Sequence, residues 1–197
     1  MPRIVALSGS LSQPSRTRAL VELIAERAAA GNAAQIDVID IAELAPVLGS
    51  AVSPSHLPPA VAAAHRTLEA ADLIIIGSPV YKGSYSGLLK HFLDLADPNR
   101  LSGKVAILAA TGGSDRHALV LEHQWRPLAS FFELVTAPSA VFVKDTDFVQ
   151  YQLPPDRHDV LARVNLVVAQ ALRLLRWAQP AAATAHVAQV AHVALAA

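Results

Sequence analysis

The chain has 197 residues, 16 Lys plus Arg against 16 Asp plus Glu, and no cysteine. That length is enough for one α/β domain with a sizeable core. Zero net charge removes the basic footprint of a non-specific nucleic-acid binder and gives no reason to expect an anionic membrane surface as partner, while the missing cysteines exclude disulfides, thiolate catalysis and zinc–thiolate sites.

The chain starts on a strand pattern, "RIVALS" over 3–8, with no basic-then-apolar leader. A cytoplasmic protein without a signal peptide is therefore expected. A helical pattern follows over 15–30, then a weaker strand, "QIDVIDI", over 35–41. The Pro/Ser-rich stretch 44–60 reads as a surface loop, and 59–71 as a helix. "DLIIIGS" over 72–78 and "KVAILAA" over 104–110 are apolar throughout, as strands covered on both faces of a parallel sheet are. Helical patterns occupy 87–96, 116–132 and 157–178, with a fifth strand candidate, "APSAVFV", over 137–143. Strand and helix patterns thus alternate five times. The expected architecture is an α/β/α sandwich around a five-stranded parallel sheet, order 2-1-3-4-5 being one of two common choices. A single domain over 1–178 and an Ala/Val-rich tail over 179–197 are expected.

Ligands of doubly wound folds sit beyond the carboxyl ends of the strands. The first such edge reads "SGSLSQPSRTRAL". A helix cap needs one hydroxyl; Ser8, Ser10, Ser12, Ser15 and Thr17 supply five. Arg16 adds a cationic fork, and the following helix adds free N–H groups and the positive end of its dipole. The glycine spacing fits neither a dinucleotide fingerprint nor a P-loop. A single phosphate monoester, as on a mononucleotide, suits the stretch better.

The third strand runs into "GSPVYKGSYSGLLKHFLD" and the fourth into "ATGGSDRHALVLEHQW". Pro79 fixes φ, Gly83 and Gly87 allow close backbone approach, and successive backbone groups here suit the edge of a flat heterocycle, although a Pro/Gly turn capped by Ser84 or Ser86 fits the same residues. Thr111, Gly112, Gly113 and Ser114 lead into another helix start, with Asp115 as its expected cap. Pro127 cannot donate to the carbonyl of His123. A kink or π-bulge around His123 is therefore expected. His117 and His123 lie about 600° apart on a helix, so no two-histidine metal site is expected.

Together the three stretches resemble the NAD(P)H-dependent FMN reductases of flavodoxin-like fold, nearest to the reductase component of alkanesulfonate and methanesulfonate monooxygenase systems. The resemblance covers roughly residues 3–178. It implies an NAD(P)H:FMN oxidoreductase that reduces FMN by hydride transfer to flavin N5 and delivers it to a flavin-dependent monooxygenase. It further implies a homo-oligomer, a tetramer built from dimers. By the same resemblance the FMN phosphate sits on Ser8, Ser10, Ser15, Arg16 and Thr17. The ring edge lies against Pro79, Val80, Tyr81 and Lys82, and the third loop contributes Thr111, Gly112, Gly113 and Ser114. Lys82 is the candidate for stabilising charge on reduced flavin; a solvated lysine at a loop tip fits equally. His123 matches the position at which relatives carry an inserted π-helical residue associated with flavin exchange; a kinked surface helix is the plainer reading. Ser86 and Arg18 depart from the pattern, where many relatives carry Pro and Asn. Two other readings share the scaffold: an FMN-retaining quinone or azo reductase, and a flavodoxin-type electron carrier.

Overall fold

The computed structural model describes residues 1–31 and 33–178, so the expected tail 179–197 lies outside the described residues. Strands β1 (Arg3–Ser8), β2 (Gln35–Asp40), β3 (Leu73–Pro79), β4 (Val105–Gly112), β5 (Val135–Thr136) and β6 (Val141–Lys144) form one sheet. Its order is β2-β1-β3-β4-β5, and β6 also pairs with β4. All pairings are parallel.

The fold class and the order of the first four strands are those read from the sequence. The fifth position differs: two short segments share it. Pro138 lies between them and has no N–H for the ladder. The interruption is held by Arg126, whose guanidinium donates to Thr136 Oγ1, Ala137 O and Pro138 O at 3.1, 3.3 and 2.7 Å.

Alternate residues of each central strand face opposite cores, as the two-residue period demands. Ile4, Ala6, Leu73 and Ile75 pack with α1 (Arg16–Ala29) and α7 (His158–Ala178) on one face. Val5, Leu7, Ile74 and Ile76 pack on the other with α2 (Ile41–Leu48), α3 (Pro59–Glu69), α4 (Gly87–Asp94), α5 (Pro98–Leu101) and α6 (Arg126–Phe131). Every residue of β4 is buried, which explains its unbroken apolar run.

Two stretches of regular structure differ from expectation. The loop read over 44–60 begins inside α2, capped by the Asp40 carboxylate, which accepts from Ala42 N–H at 3.2 Å. Pro46 sits in its last turn. The helix expected over 116–132 is divided into a 3₁₀ turn (Asp115–His117), a π-helical turn (Leu121–Trp125) and α6, and the π turn contains His123, where the bulge was expected. Pro127 is the physical reason. Without its N–H the α register cannot continue past His123 O, and Arg126 N–H reaches back to Leu121 O instead. Among the described residues no helix is long and apolar enough to cross a membrane.

Candidate functional site

The parallel register brings the carboxyl ends of β1, β3 and β4 to one rim. Ser8 stands beside Gly77, and Pro79 beside Thr111. Direct hydrogen bonds then fasten the three loops to each other. Gly9 N–H donates to Gly77 O at 2.7 Å. Ser86 Oγ donates to Gly9 O at 2.6 Å, and Ser86 N–H donates to Ser78 Oγ at 2.9 Å. Val80 N–H donates to Thr111 O at 2.8 Å, and the hydroxyls of Thr17 and Thr111 lie 2.7 Å apart. Ser86, buried and also the N-cap of α4, is thus a structural tie between the first and second loops.

Sequence reasoning offers Ser86 as a possible cap and as a departure from the family pattern, but not as a tie between loops, and gives Gly9 and Gly77 no role. A Cβ on Gly9 would lie 2.5 Å from Leu89 Cδ2, and one on Gly77 would lie 2.4 Å from Val21 Cγ1. Their value is closeness: helices α4 and α1 approach the strand ends only because nothing projects there. A glycine at or just past a strand end was the available signal.

Within the first loop Ser15 caps α1, its Oγ accepting from Arg18 N–H at 3.1 Å. Ser10 folds onto the loop itself, accepting from Ser12 N–H at 3.2 Å. Two buried polar atoms here have no partner in the protein: Ser8 Oγ and Arg16 Nε. Such atoms cost free energy unless something outside the chain satisfies them. Ser8 ends β1 and Arg16 opens α1, a 14-residue helix whose N-terminus favours an anion. An unpartnered hydroxyl, an unpartnered guanidinium Nε and a helix N-terminus are the chemistry that fits a phosphate group.

The second arginine of the motif is unavailable for that task. Arg18 donates to Glu22, Asp40 and Glu43 at 2.8, 2.9 and 2.7 Å. These hydrogen bonds, Glu22's foremost, push its pKa above the ordinary arginine value. Arg18 braces α1 against the end of β2 and the start of α2; among the described residues Arg16 forms no such ion pair.

The second loop is built from backbone. Tyr81 and Ser84 exchange hydrogen bonds of 2.8 and 3.0 Å around a two-residue turn. Lys82 and Gly83 occupy that turn with φ of +50° and +81°, the pattern of a type I′ hairpin. The amides of Val80 and Tyr81 are therefore committed inside the protein, and those of Lys82 and Gly83 form the exposed tip. Pro79 and Val80 are half-buried; Tyr81 and Lys82 are exposed. In the third loop Thr111 and Gly112 are buried, Gly113 is exposed and Ser114 is half-buried. Ser114, not the expected Asp115, caps the 3₁₀ turn, accepting from Arg116 N–H at 3.3 Å. Asp115 instead pairs with Lys144 at the end of β6, at 3.0 Å.

His123 sits exposed in the middle of the π-helical turn. That turn adjoins the second loop: Ser84 Oγ donates to Gln124 Oε1 at 3.1 Å, and the Tyr85 and Trp125 rings meet edge-on at 5.2 Å. Among the described residues no group of three His, Asp or Glu is arranged for a metal ion.

A separate cavity of about 430 Å³ opens at the opposite edge of the sheet, bordered by Ile4, Ala28, Leu73, Val105 and Leu175. Two of its charged neighbours are already paired within the chain: Asp72 accepts from Arg3 N–H, and Lys104 donates to Ala71 O. Two of the three buried polar atoms without partners among the described residues, Ser8 Oγ and Arg16 Nε, belong to the first loop instead.

Fold and rim together define a class: doubly wound flavodoxin-like α/β proteins with an anion-ready first loop. The sequence profile of the family described as NADPH-dependent FMN reductase matches residues 2–148. The NADH-dependent FMN reductase SfnF of Pseudomonas fluorescens is 43% identical over 172 residues, covering 87% of this chain and 91% of that protein. An FMN reductase (NADPH) of Pseudomonas aeruginosa is 43% identical over 175 residues, with 87% and 91% covered. The crystal structure of an oxidoreductase from Corynebacterium diphtheriae superposes with a TM-score of 0.80 at 32% identity, covering 90% of this chain and 98% of that one. The chain belongs to the NADPH-dependent FMN reductase family. It is an oxidoreductase that works with FMN and NAD(P)H.

Proposed function

We propose that this enzyme takes FMN as an exchangeable substrate, reduces it with NADH or NADPH, and hands it to a separate flavin-dependent monooxygenase of the alkane- or methanesulfonate type. The observation that carries the binding half is two buried atoms without protein partners, Ser8 Oγ at the end of β1 and Arg16 Nε at the start of α1. Arg16, Ser8 and the leading amides of α1 hold the phosphate, with Ser10, Ser15 and Thr17 shaping the loop around it. Of the paired Thr17 and Thr111 hydroxyls, one donates to the other, and the second proton remains for the ligand.

When bound, FMN supplies the hydride-accepting ring system. The chain's part is to hold and shield it. Pro79, Val80 and Tyr81 present a wall, and the exposed amides of Lys82 and Gly83 meet polar ring atoms. The Lys82 ammonium provides a cation where negative charge accumulates. Thr111, Gly112, Gly113 and Ser114 close the third side.

Exchange rather than retention is supported by exposure at the ring end: Tyr81, Lys82, Gly83 and Gly113 all meet solvent. It is also supported by the π-helical turn that carries His123 against the second loop. Leu119 and Phe131, on either side of that turn, are 62% and 68% exposed, which fits burial of this face against another copy of the chain. The partner monooxygenase is inferred from the resemblance to the sulfonate-system reductases.

The test is NADH and NADPH oxidation, followed through the loss of nicotinamide absorbance, with and without added FMN. The expected result is turnover that requires added FMN, from protein that emerges colourless from gel filtration. Deleting His123 should leave the purified protein yellow. Stoichiometric FMN retained through gel filtration, with quinone reduction, would instead identify a flavin-retaining reductase. No NAD(P)H oxidation in the presence of FMN would identify an electron carrier.

A further inference from the structure

The segment from β6 to α7, residues 145–157, reaches back to the first loop. Within it Val149 and Gln152 exchange backbone hydrogen bonds, both of 2.9 Å. Gln150 and Tyr151 are left as a two-residue turn with φ of +47° and +65°. Type I′ turns need two left-handed residues and favour Asn-Gly for that reason. Gln and especially a bulky Tyr adopt this region at a cost. The corresponding turn at Lys82–Gly83 places a glycine at its second position. Here the chain keeps an aromatic ring at the strained position.

That ring meets one partner of consequence. Arg16 Cζ lies over it, 5.0 Å from the ring centroid. The base of the segment is firmly held: Arg157 forms an ion pair with the buried Asp147, whose other oxygen accepts from Lys144 N–H at 3.2 Å. Tyr151 itself remains 38% exposed, so it adds little to the core. It also lies past residue 148, beyond the reach of the family profile.

We propose that Tyr151 is a positioning residue for Arg16, giving the chain its preference for the phosphorylated flavin FMN over phosphate-free riboflavin. The inference rests on the first loop being the phosphate site. A free arginine side chain samples many rotamers and loses that freedom on gripping an anion. Held over the tyrosine ring, the guanidinium has less freedom to lose when an anion arrives. Its N–H groups lie in the plane of the fork and stay available to a phosphate, while the covered face is attracted to the ring.

The experiment is calorimetric titration of the full chain with FMN and, separately, with riboflavin. It compares wild type, Y151F, Y151A, Y151G and R16Q. Wild type and Y151F should bind FMN alike and more tightly than riboflavin, since the phenol hydroxyl is not used. Y151A and Y151G should lose about three- to tenfold in FMN affinity, with riboflavin affinity unchanged. Y151G guards against misfolding: glycine accepts the left-handed position, so its thermal midpoint should not fall. Equal losses for both flavins, unchanged FMN binding in Y151A, or a loss in Y151F matching that of Y151A would overturn the proposal. R16Q separates the two layers. If R16Q loses the preference for FMN and Y151A keeps it, the phosphate site stands and the role of Tyr151 falls. If wild type does not distinguish the two flavins, both fall.

Discussion

The ends of β1 and β3 lie on the same rim with opposite constructions. Beyond β1 the chain uses side chains: buried hydroxyls and a guanidinium, two of their polar atoms without protein partners. Beyond β3 it uses backbone: a two-residue turn with both φ values positive, exposed at its tip. The difference follows from what each end is proposed to hold. A phosphate carries localised charge and rewards donors fixed in a dry, preorganised cradle. A flat ring is largely apolar with polar edges, and an exposed backbone tip can meet those edges while letting the ring leave.

The strongest way to break this contrast is to move the β1 end bodily. Gly77→Ala puts a Cβ 2.4 Å from Val21 Cγ1 and 3.3 Å from Thr17 Cγ2, so the stiff Val21 side chain, and with it α1, is pushed from the strand end. A loss of about 2–3 kcal/mol in urea unfolding is expected, with weaker FMN binding because the N-terminus of α1 moves. Next comes the charge itself. Arg16→Gln should weaken FMN by about 1.5–3 kcal/mol and leave riboflavin alone, read by titration. A comparable loss for riboflavin would contradict the division of labour between the two ends.

Smaller effects sharpen the link between the ends. Ser86→Ala removes both the 2.6 Å bond to Gly9 O and the cap of α4, and should cost about 1–2 kcal/mol in thermal or urea unfolding. The mildest concerns the helix that follows the β3 loop. His65 on α3 is buried, its Nε2 2.9 Å from Phe92 O on α4 and its ring 4.4 Å from the Phe92 ring. Because the carbonyl only accepts, Nε2 carries the proton. Burial holds the His65 pKa below its ordinary 6.5, against weaker raising effects of the Phe92 carbonyl and Glu69. The folded state then binds fewer protons than the unfolded one. This contribution to stability is complete above about pH 6.5 and fades as pH falls through the folded pKa. Wild type should lose more stability than His65→Phe between about pH 7 and pH 5. A parallel decline in both would show that His65 is not a titrating anchor of α4.

Much of this was legible in the chain. Continuous apolar runs marked β1, β3 and β4 because both faces of those strands are covered, and the five hydroxyls after β1 marked the first loop because a cap needs one. Pro127 announced the break at His123 because a missing N–H has a definite address four residues earlier. Other features had weaker signatures. Helix α2 hid in a stretch rich in proline and serine, although Asp40 with Glu43 in the first turn marked its start. The fifth strand looked whole because periodicity does not register a ladder interrupted at Pro138. Ser86 looked like a deviation because its partners, Gly9 and Ser78, are 77 and 8 residues away.

Local chemistry, then, determined the elements, the rim on which the loops gather and the anion-seeking character of the first of them: hydrogen-bonding capacity, chain stiffness and apolar spacing are properties of neighbouring residues. Tertiary structure decided what surrounds the two arginines of that loop: Glu22 is one helical turn from Arg18, but Asp40 and Glu43 reach it only through the fold. Three carboxylates engage Arg18, while Tyr151, 135 residues further along the sequence, lies under Arg16. No local pattern records such a meeting, because it exists only once the sheet has brought its strand ends to one side.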